Sequence, residues 1–435
     1  MRWWAAVAWI EDLLQAGKAK ADEVEVYLVS GTSVSADLKK TRISLCTSAI
    51  ESGIGIRTIK DGRIGISSTN DPGQWKACLD AAIASGRLAT PGEWHGLPEP
   101  ADIPGTDLTF DPGLEVGPGI AEKLVHEMFE GAARHPRAAV TSGGAGVTYG
   151  EVTIANSRGV RYTSRQTEVS AALDAVCGQS TGFEFDAAGS AGAIDARRIG
   201  ERAAALAERS KDGKKIATGT YDIVLSPMAF ADLLSGILVP SLSGRNVLQG
   251  RSKLAGKIGE EVTSPLVSLY DDPHRKDALG STWFDAEGTP THRFDFVKEG
   301  VLAGFAYDCR TAYRAGTAST GSAIRGGPGG SPAIGHHNFV VDGKRSGLYD
   351  APGVYVHGVV GAHTANTLTG DFSVEMSNAF TIRDGDLAEP VRSAMLTGNF
   401  FELLRSISAL GKESRAVGSY ILPPVRIKNV RVVGT

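Results

Sequence analysis

The chain has 435 residues, with 45 Lys and Arg against 49 Asp and Glu, and its formal charge of −4 offers no basic field to a nucleic-acid backbone. Apolar residues make up 42% and charged residues 22%, enough for a sizeable core, which excludes a disordered or fibrous chain. Glycine is in excess, 54 of 435 residues against a usual ~7%, without the every-third spacing of collagen, so the surplus belongs to turns and loops.

The apolar run Trp3 to Ile10 is eight residues long and is broken by Glu11 and Asp12. It is too short to span a bilayer, lacks the pattern of a secretory signal, and reads as a half-buried helix ending near Gly17. Residues 23–29, 34–38 and 43–50 alternate apolar and polar side chains as strands do. Residues 53–59 and 63–69 form the clearest hairpin, because Asp61-Gly62 supplies the positive φ of its turn. Asp71-Pro72 then opens a helix whose stripe is Trp75, Cys78, Leu79, Ala82 and Ile83, with Gly86 at its end. On that stripe Cys78 is a small core residue.

Residues 91–118 are rich in Pro, Gly and Asp and read as a surface connection. A helix follows over 119–134, with Ile120, Leu124, Met128 and Ala132 buried and Glu122, His126 and Glu130 on another face. Strand-like runs occupy 139–148, 152–155 and 160–176. A helix capped by Asp195 carries Ile199, Ala203 and Leu206 and ends at Asp212-Gly213, where we place a domain boundary.

The second half is mostly strand. Residues 221–225 read as a strand and 228–239 as a short apolar helix. A second hairpin pairs 291–297 with 301–307 across Lys298, Glu299 and Gly300, and a late helix is expected over 400–410. Seven glycines fall between Gly316 and Gly335. The fold class is therefore α+β: an N-terminal α/β domain over residues 1–213, with antiparallel hairpins and packed helices, and a C-terminal β-rich domain over 214–435.

A zinc helix places two histidines one turn apart with a glutamate beside the first. The one His-Glu pair, His126-Glu127, has no second histidine at that spacing, and none of the nine histidines lies between His135 and His274. His274, His292, His336, His337, His357 and His363 could meet Cys309, Asp371 and Glu375 in a metal site or a dyad, but no spacing enforces it. The stretch Gly326 to Ser331 lacks the Lys-Ser or Lys-Thr of a phosphate loop and reads as a mobile loop near a binding surface. No nucleophile elbow is present. The four cysteines, Cys46, Cys78, Cys177 and Cys309, form no CxxC and are expected as reduced thiols in a cytoplasmic protein.

One resemblance covers nearly the whole chain in order. The hairpin 53–69 running into Asn70-Asp71 resembles the opening domain of the TldD/PmbA family, the modulator-of-DNA-gyrase peptidases. The likeness continues through 154–159, 281–288, 298–302, Ser319 to Gly321, His337-Asn338, 368–373, 385–390 and the terminal Leu422-Pro423-Pro424. The collinearity of these segments carries it. In that family the TldD kind bears a His-Glu-x-x-x-His helix, whereas the PmbA (TldE) kind lacks it. The corresponding helix here, residues 227–243, contains Phe230, Ala231, Asp232, Leu233 and Gly236 but neither histidine nor glutamate. A cysteine of the TldD kind is likewise absent where Ala416 to Ser419 stand.

The resemblance implies a PmbA/TldE-like, non-catalytic subunit of a heteromeric zinc metallopeptidase that threads unfolded or leader peptides. It assigns no catalytic residue, metal ligand or cofactor to this chain and expects zinc in a TldD-like partner. His336, His337, Asn338 and His363 are candidates for a substrate channel or partner contact. The expected partners are the zinc-bearing subunit and peptide, with neither nucleic acid nor membrane, and a homodimer is possible in isolation. Two alternatives stay open: a self-sufficient hydrolase built on the C-terminal histidines, and a protein-binding modulator without activity.

Overall fold

The computed structural model describes residues 6–92, 94–105 and 107–434; Trp3 and Trp4 of the first apolar run lie outside them. The first half is one antiparallel sheet with helices on one face. Its elements are α1 (Ala6–Lys18), β1 (Glu23–Lys39), β2 (Arg42–Lys60), β3 (Arg63–Thr69), α2 (Trp75–Gly86), α3 (Pro118–Ala132), β4 (Ala139–Asn156), β5 (Arg161–Cys177), β6 (Ser180–Ala188) and α4 (Ala196–Arg209). The strand order is β3-β2-β1-β4-β5-β6.

Period-2 alternation fixes which face is covered. On β5 the buried set Val169, Ala171, Leu173, Ala175 and Cys177 packs with Leu124, Val125 and Met128 of α3 and Ile199, Ala203 and Ala207 of α4. Two glycines set the spacing of those helices. A Cβ on Gly131 would lie 1.9 Å from the Arg197 carbonyl oxygen, and one on Gly200 1.9 Å from that of Met128. His126, Glu122 and Glu130 are exposed on the opposite side, as the helical spacing requires. At the other end of the sheet, α1 and α2 bury Leu13, Cys78, Leu79 and Ala82 against Val26, Ile54 and Ile56.

Three strands are much longer than their alternation suggests. The segments at 23–29 and 34–38 are one strand, β1, and 139–148 and 152–155 are another, β4. The segments at 43–50 and 53–59 are likewise one strand, β2, whose outer part, residues 42–52, is exposed almost throughout.

The second half holds β7 (Gly219–Leu225), α5 (Pro227–Leu233), a π turn over Leu234–Leu238, α6 (Val239–Ser241), α7 (Gly244–Leu248), β8 (Val267–Asp271), β9 (Phe294–Lys298), β10 (Val301–Leu302), α8 (Cys309–Ala315), β11 (Ala323–Ile324) and β12 (Ala333–Ile334). It continues with β13 (Phe339–Gly343), β14 (Gly353–Val360), β15 (Asp371–Arg383), β16 (Asp386–Val391), β17 (Met395–Asn399), α9 (Phe400–Arg405), β18 (Ile407–Leu410), β19 (Arg415–Val417), β20 (Tyr420–Leu422) and β21 (Val425–Val433). The pairings β14-β7-β21-β17-β15 return from β15 to β14, closing a five-stranded barrel to which β16 and β18 add. A second sheet runs β10-β9-β8-β13-β20-β19. One core joins them, with Phe230 of α5 and Phe400 of α9 at a ring distance of 6.4 Å.

Two local expectations change. The helix expected over 400–410 stops at Arg405, and Ile407–Leu410 pairs with β21 instead. Its apolar residues are buried as the spacing requires, but two elements bury them. The second hairpin pairs only Val301 and Leu302 with Lys298 and Val297 before the chain turns away. The π turn sits just ahead of Pro240, whose ring is incompatible with an ordinary bond to the carbonyl four residues back.

Candidate functional site

Helix α5 follows β7 directly. Ser226 caps it through its hydroxyl, which accepts from the Met228 and Ala229 amides, and Pro227 occupies the first turn. One side of the helix buries Phe230, Leu233 and Leu234 in the core. The exposed side presents Asp232, with Ser235 one turn on at the start of the π turn, and it packs beside β14, β19 and β20. The Ser235 hydroxyl is hydrogen-bonded to Tyr420, and burial raises both that phenol and the Asp232 carboxyl above their usual ranges.

The edge strand β19 places Arg415 and Ala416 against this helix. Arg415 ties three elements together: it donates to Glu184 of β6 at 2.5 Å, to the Phe185 carbonyl, and toward the Met228 sulfur at 3.8 Å. The segment without the zinc motif and the segment without the cysteine are thus neighbours in space. Among the described residues no three His, Cys, Asp or Glu side chains come together as a metal-holding set. The donors of α5 and the π turn, the Asp232 carboxylate and the Ser235 hydroxyl, with the Tyr420 hydroxyl beside them, do not fit a catalytic zinc, which takes three nitrogen, sulfur or carboxylate ligands.

His336 belongs to this wall. Its Nε2 lies 3.2 Å from the Ser419 hydroxyl, and its ring packs against Tyr420 at 4.8 Å and Phe339 at 5.5 Å. Burial depresses it to about 4, so it is neutral at pH 7. His337 and Asn338 turn inward. His337 pairs with the Gly321 carbonyl at 2.8 Å, and its amide donates to Asp271. Asn338 donates to the Asp272 carbonyl and to Ser281, and accepts from the Gly280 amide. His363 is exposed on a 3-10 turn, Ala362–Thr364, that packs against α5 elsewhere. The His363 turn therefore borders α5 directly, His336 packs on Tyr420 of β20, which itself contacts α5, and His337 and Asn338 are hydrogen-bonded to Asp271 and Asp272 at the end of β8.

Among the described residues Cys309 pairs with no histidine. Its sulfur lies 3.4 Å from the Thr289 hydroxyl, and burial beside Glu287 and Asp285 pushes the thiol far up, leaving it protonated.

A charged chain absent from the sequence reading links the two halves. Arg57 of β2 donates to Glu25 of β1 at 2.5 Å and to Glu287 at 2.7 Å, and Arg325 also pairs with Glu25. All four side chains are at least 96% buried. Burial alone would lower Arg57, but the two carboxylates outweigh it and hold the guanidinium protonated. Burial and the neighbouring Glu287 raise Asp285 to about 7. The available signal was the Asp285, Glu287 and Gly288 pattern inside the collinear block 281–288.

The fold and this face define a member of a metallopeptidase family built from three modules. The PmbA/TldA metallopeptidase domain 1, central domain and C-terminal domain match residues 24–86, 111–211 and 218–434. An uncharacterized protein of Methanocaldococcus jannaschii is 32% identical over 96% of this chain and 98% of its own length. Metalloprotease PmbA of Escherichia coli O157:H7 is 25% identical, covering 96% of this chain and 95% of that one. The crystal structure of TldE from Thermococcus kodakarensis superposes with a TM-score of 0.91 at 29% identity, over 98% of this chain and 100% of that one. This chain belongs to the PmbA/TldD family.

Proposed function

We propose that this chain is the metal-free subunit of a heteromeric zinc peptidase acting on unfolded or leader peptides in the cytoplasm. The observation that carries the reading is the face of α5. Its exposed side presents Asp232 and Ser235, the helix that the resemblance matches to the zinc-bearing His-Glu-x-x-x-His helix holds neither histidine nor glutamate, and β19, with Ala416, packs against it. The likeness to TldE points the same way. Within such a pair the chain completes an enclosure. An extended peptide can add its backbone to β19, which pairs only with β20 among the described residues, while the partner's zinc polarises the scissile carbonyl and activates water. His336 and His363 lie on the walls bordering α5 and are candidates for peptide or partner contact. No described helix is long and apolar enough to cross a membrane.

Co-expression with a zinc-bearing paralogue, followed by size-exclusion chromatography and metal analysis, tests this. A stable mixed complex with zinc only in the paralogue is expected. Stoichiometric zinc in this chain purified alone, or no mixed complex, would count against it.

A further inference from the structure

A polar cavity of about 360 Å³ has no α5 residue in its lining and is lined by residues of both halves. Arg57, Arg245, Arg310 and Arg314 line it against Glu287 and Asp308. Both carboxylates are already engaged. Glu287 accepts from Arg57 at 2.7 Å and from the Cys309 amide at 2.8 Å. Asp308 accepts from Arg245 at 3.0 Å and from the Thr311 amide at 2.7 Å, as the cap of α8. Arg310 and Arg314, one turn apart on α8, have no acidic partner among the described residues. Arg57 adds a further unmet donor, because its buried Nε has no partner. Among the described residues the site thus holds four guanidinium groups against two carboxylates, both already engaged.

The rest of the lining supplies three apolar side chains, Ile64 and Ile66 of β3 and Pro332 of the glycine-rich loop, beside Gln249, Thr311 and Ser331. The loop is seated there by contact with β2, since a Cβ on Gly55 would stand 1.9 Å from the Pro328 carbonyl oxygen. An inorganic anion would use the arginines and leave the isoleucine wall idle. A carboxylate carried on an apolar residue uses both, and the cavity's volume is in the range of small-ligand sites.

We propose that this cavity holds the free C-terminal carboxylate of a peptide, clamped by Arg310 and Arg314, with the last side chain against Ile64, Ile66 and Pro332. The proposal rests on the peptide-handling reading above, and its test is independent of the partner subunit. The full chain is titrated calorimetrically with three probes: a tetrapeptide ending in leucine with a free carboxylate, the same peptide amidated, and inorganic phosphate. The acid is expected to bind, with the amide and the Arg310→Ala/Arg314→Ala variant each at least tenfold weaker. Both arginines are exposed, and an unchanged melting curve establishes that the variant is folded. Equal binding of acid and amide, an unaffected double variant, binding of phosphate alone, or binding of none would each overturn the assignment. Failure here leaves the subunit assignment standing, since that rests on complex formation and zinc content.

Discussion

The Arg57 guanidinium donates to Glu287 at 2.7 Å across 230 positions of chain, and this contact fixes the first sheet to the second half. Both groups are almost fully buried, so the pair survives only because each charge is answered. Glu287→Gln leaves Arg57 with Glu25 as its one remaining carboxylate. The expected loss is about 3–5 kcal/mol in denaturant unfolding, the range for breaking one side of a buried ion pair. A change below about 0.5 kcal/mol, typical of surface sites, would refute the role given to the pair.

His336 makes stability depend on acid. Its folded value, about 4, lies below the unfolded 6.5, so its contribution is fully present above pH 6.5 and is lost as the pH falls through 4. The whole effect is at most about 3 kcal/mol. Thermal midpoints between pH 7.5 and 4.5 should fall less steeply for His336→Gln than for the parent chain. Parallel profiles would mean that the imidazole is not held neutral.

Asp285 acts with the opposite sign. Its carboxyl is raised from 3.8 to about 7, so the stability it adds is fully present below pH 3.8 and is lost as the pH rises through 7. Asp285→Asn should flatten the decline between pH 5 and 8. An unchanged slope in that window would place the carboxyl in a more solvated setting than the structure gives it.

Gly55 and Gly326 separate close contact from loop composition. A methyl group on Gly55 collides with the Pro328 carbonyl oxygen, whereas one on Gly326 meets nothing within 4 Å. Gly55→Ala is expected to cost about 1–3 kcal/mol by forcing the loop off β2. Gly326→Ala should stay within about 0.5 kcal/mol. Equal effects would show that the loop is not seated on the strand.

Elements with a buried face and a local stop were legible in the sequence. The hairpin at Asp61-Gly62, the stripes of α2 and α3, and the Asp195 cap of α4 all stand where the residues placed them. What escaped has a physical reason in each case. The strands expected over 43–50 and 53–59 are one strand, β2, and its mostly exposed outer part, residues 42–52, has no buried face to signal that continuity. Leu403, Leu404 and Ile407 satisfy helical spacing, yet the chain enters β18 after Ser406, where β21 offers a ladder. The Glu25, Arg57 and Glu287 chain depends on contacts that no local pattern encodes. At the candidate site, the absence of histidine and glutamate from residues 227–243 and of cysteine from residues 416–419 was legible segment by segment. That the two segments adjoin, and that His336 reaches Ser419, required the fold.

The most direct measurement is cleavage of an unfolded peptide by this chain alone, by its zinc-bearing paralogue alone, and by an equimolar mixture. If this chain completes a shared enclosure, the mixture cleaves, the chain alone does not, and the paralogue alone is at least tenfold slower. Cleavage by this chain alone, or a paralogue equally fast with and without it, would contradict the assignment.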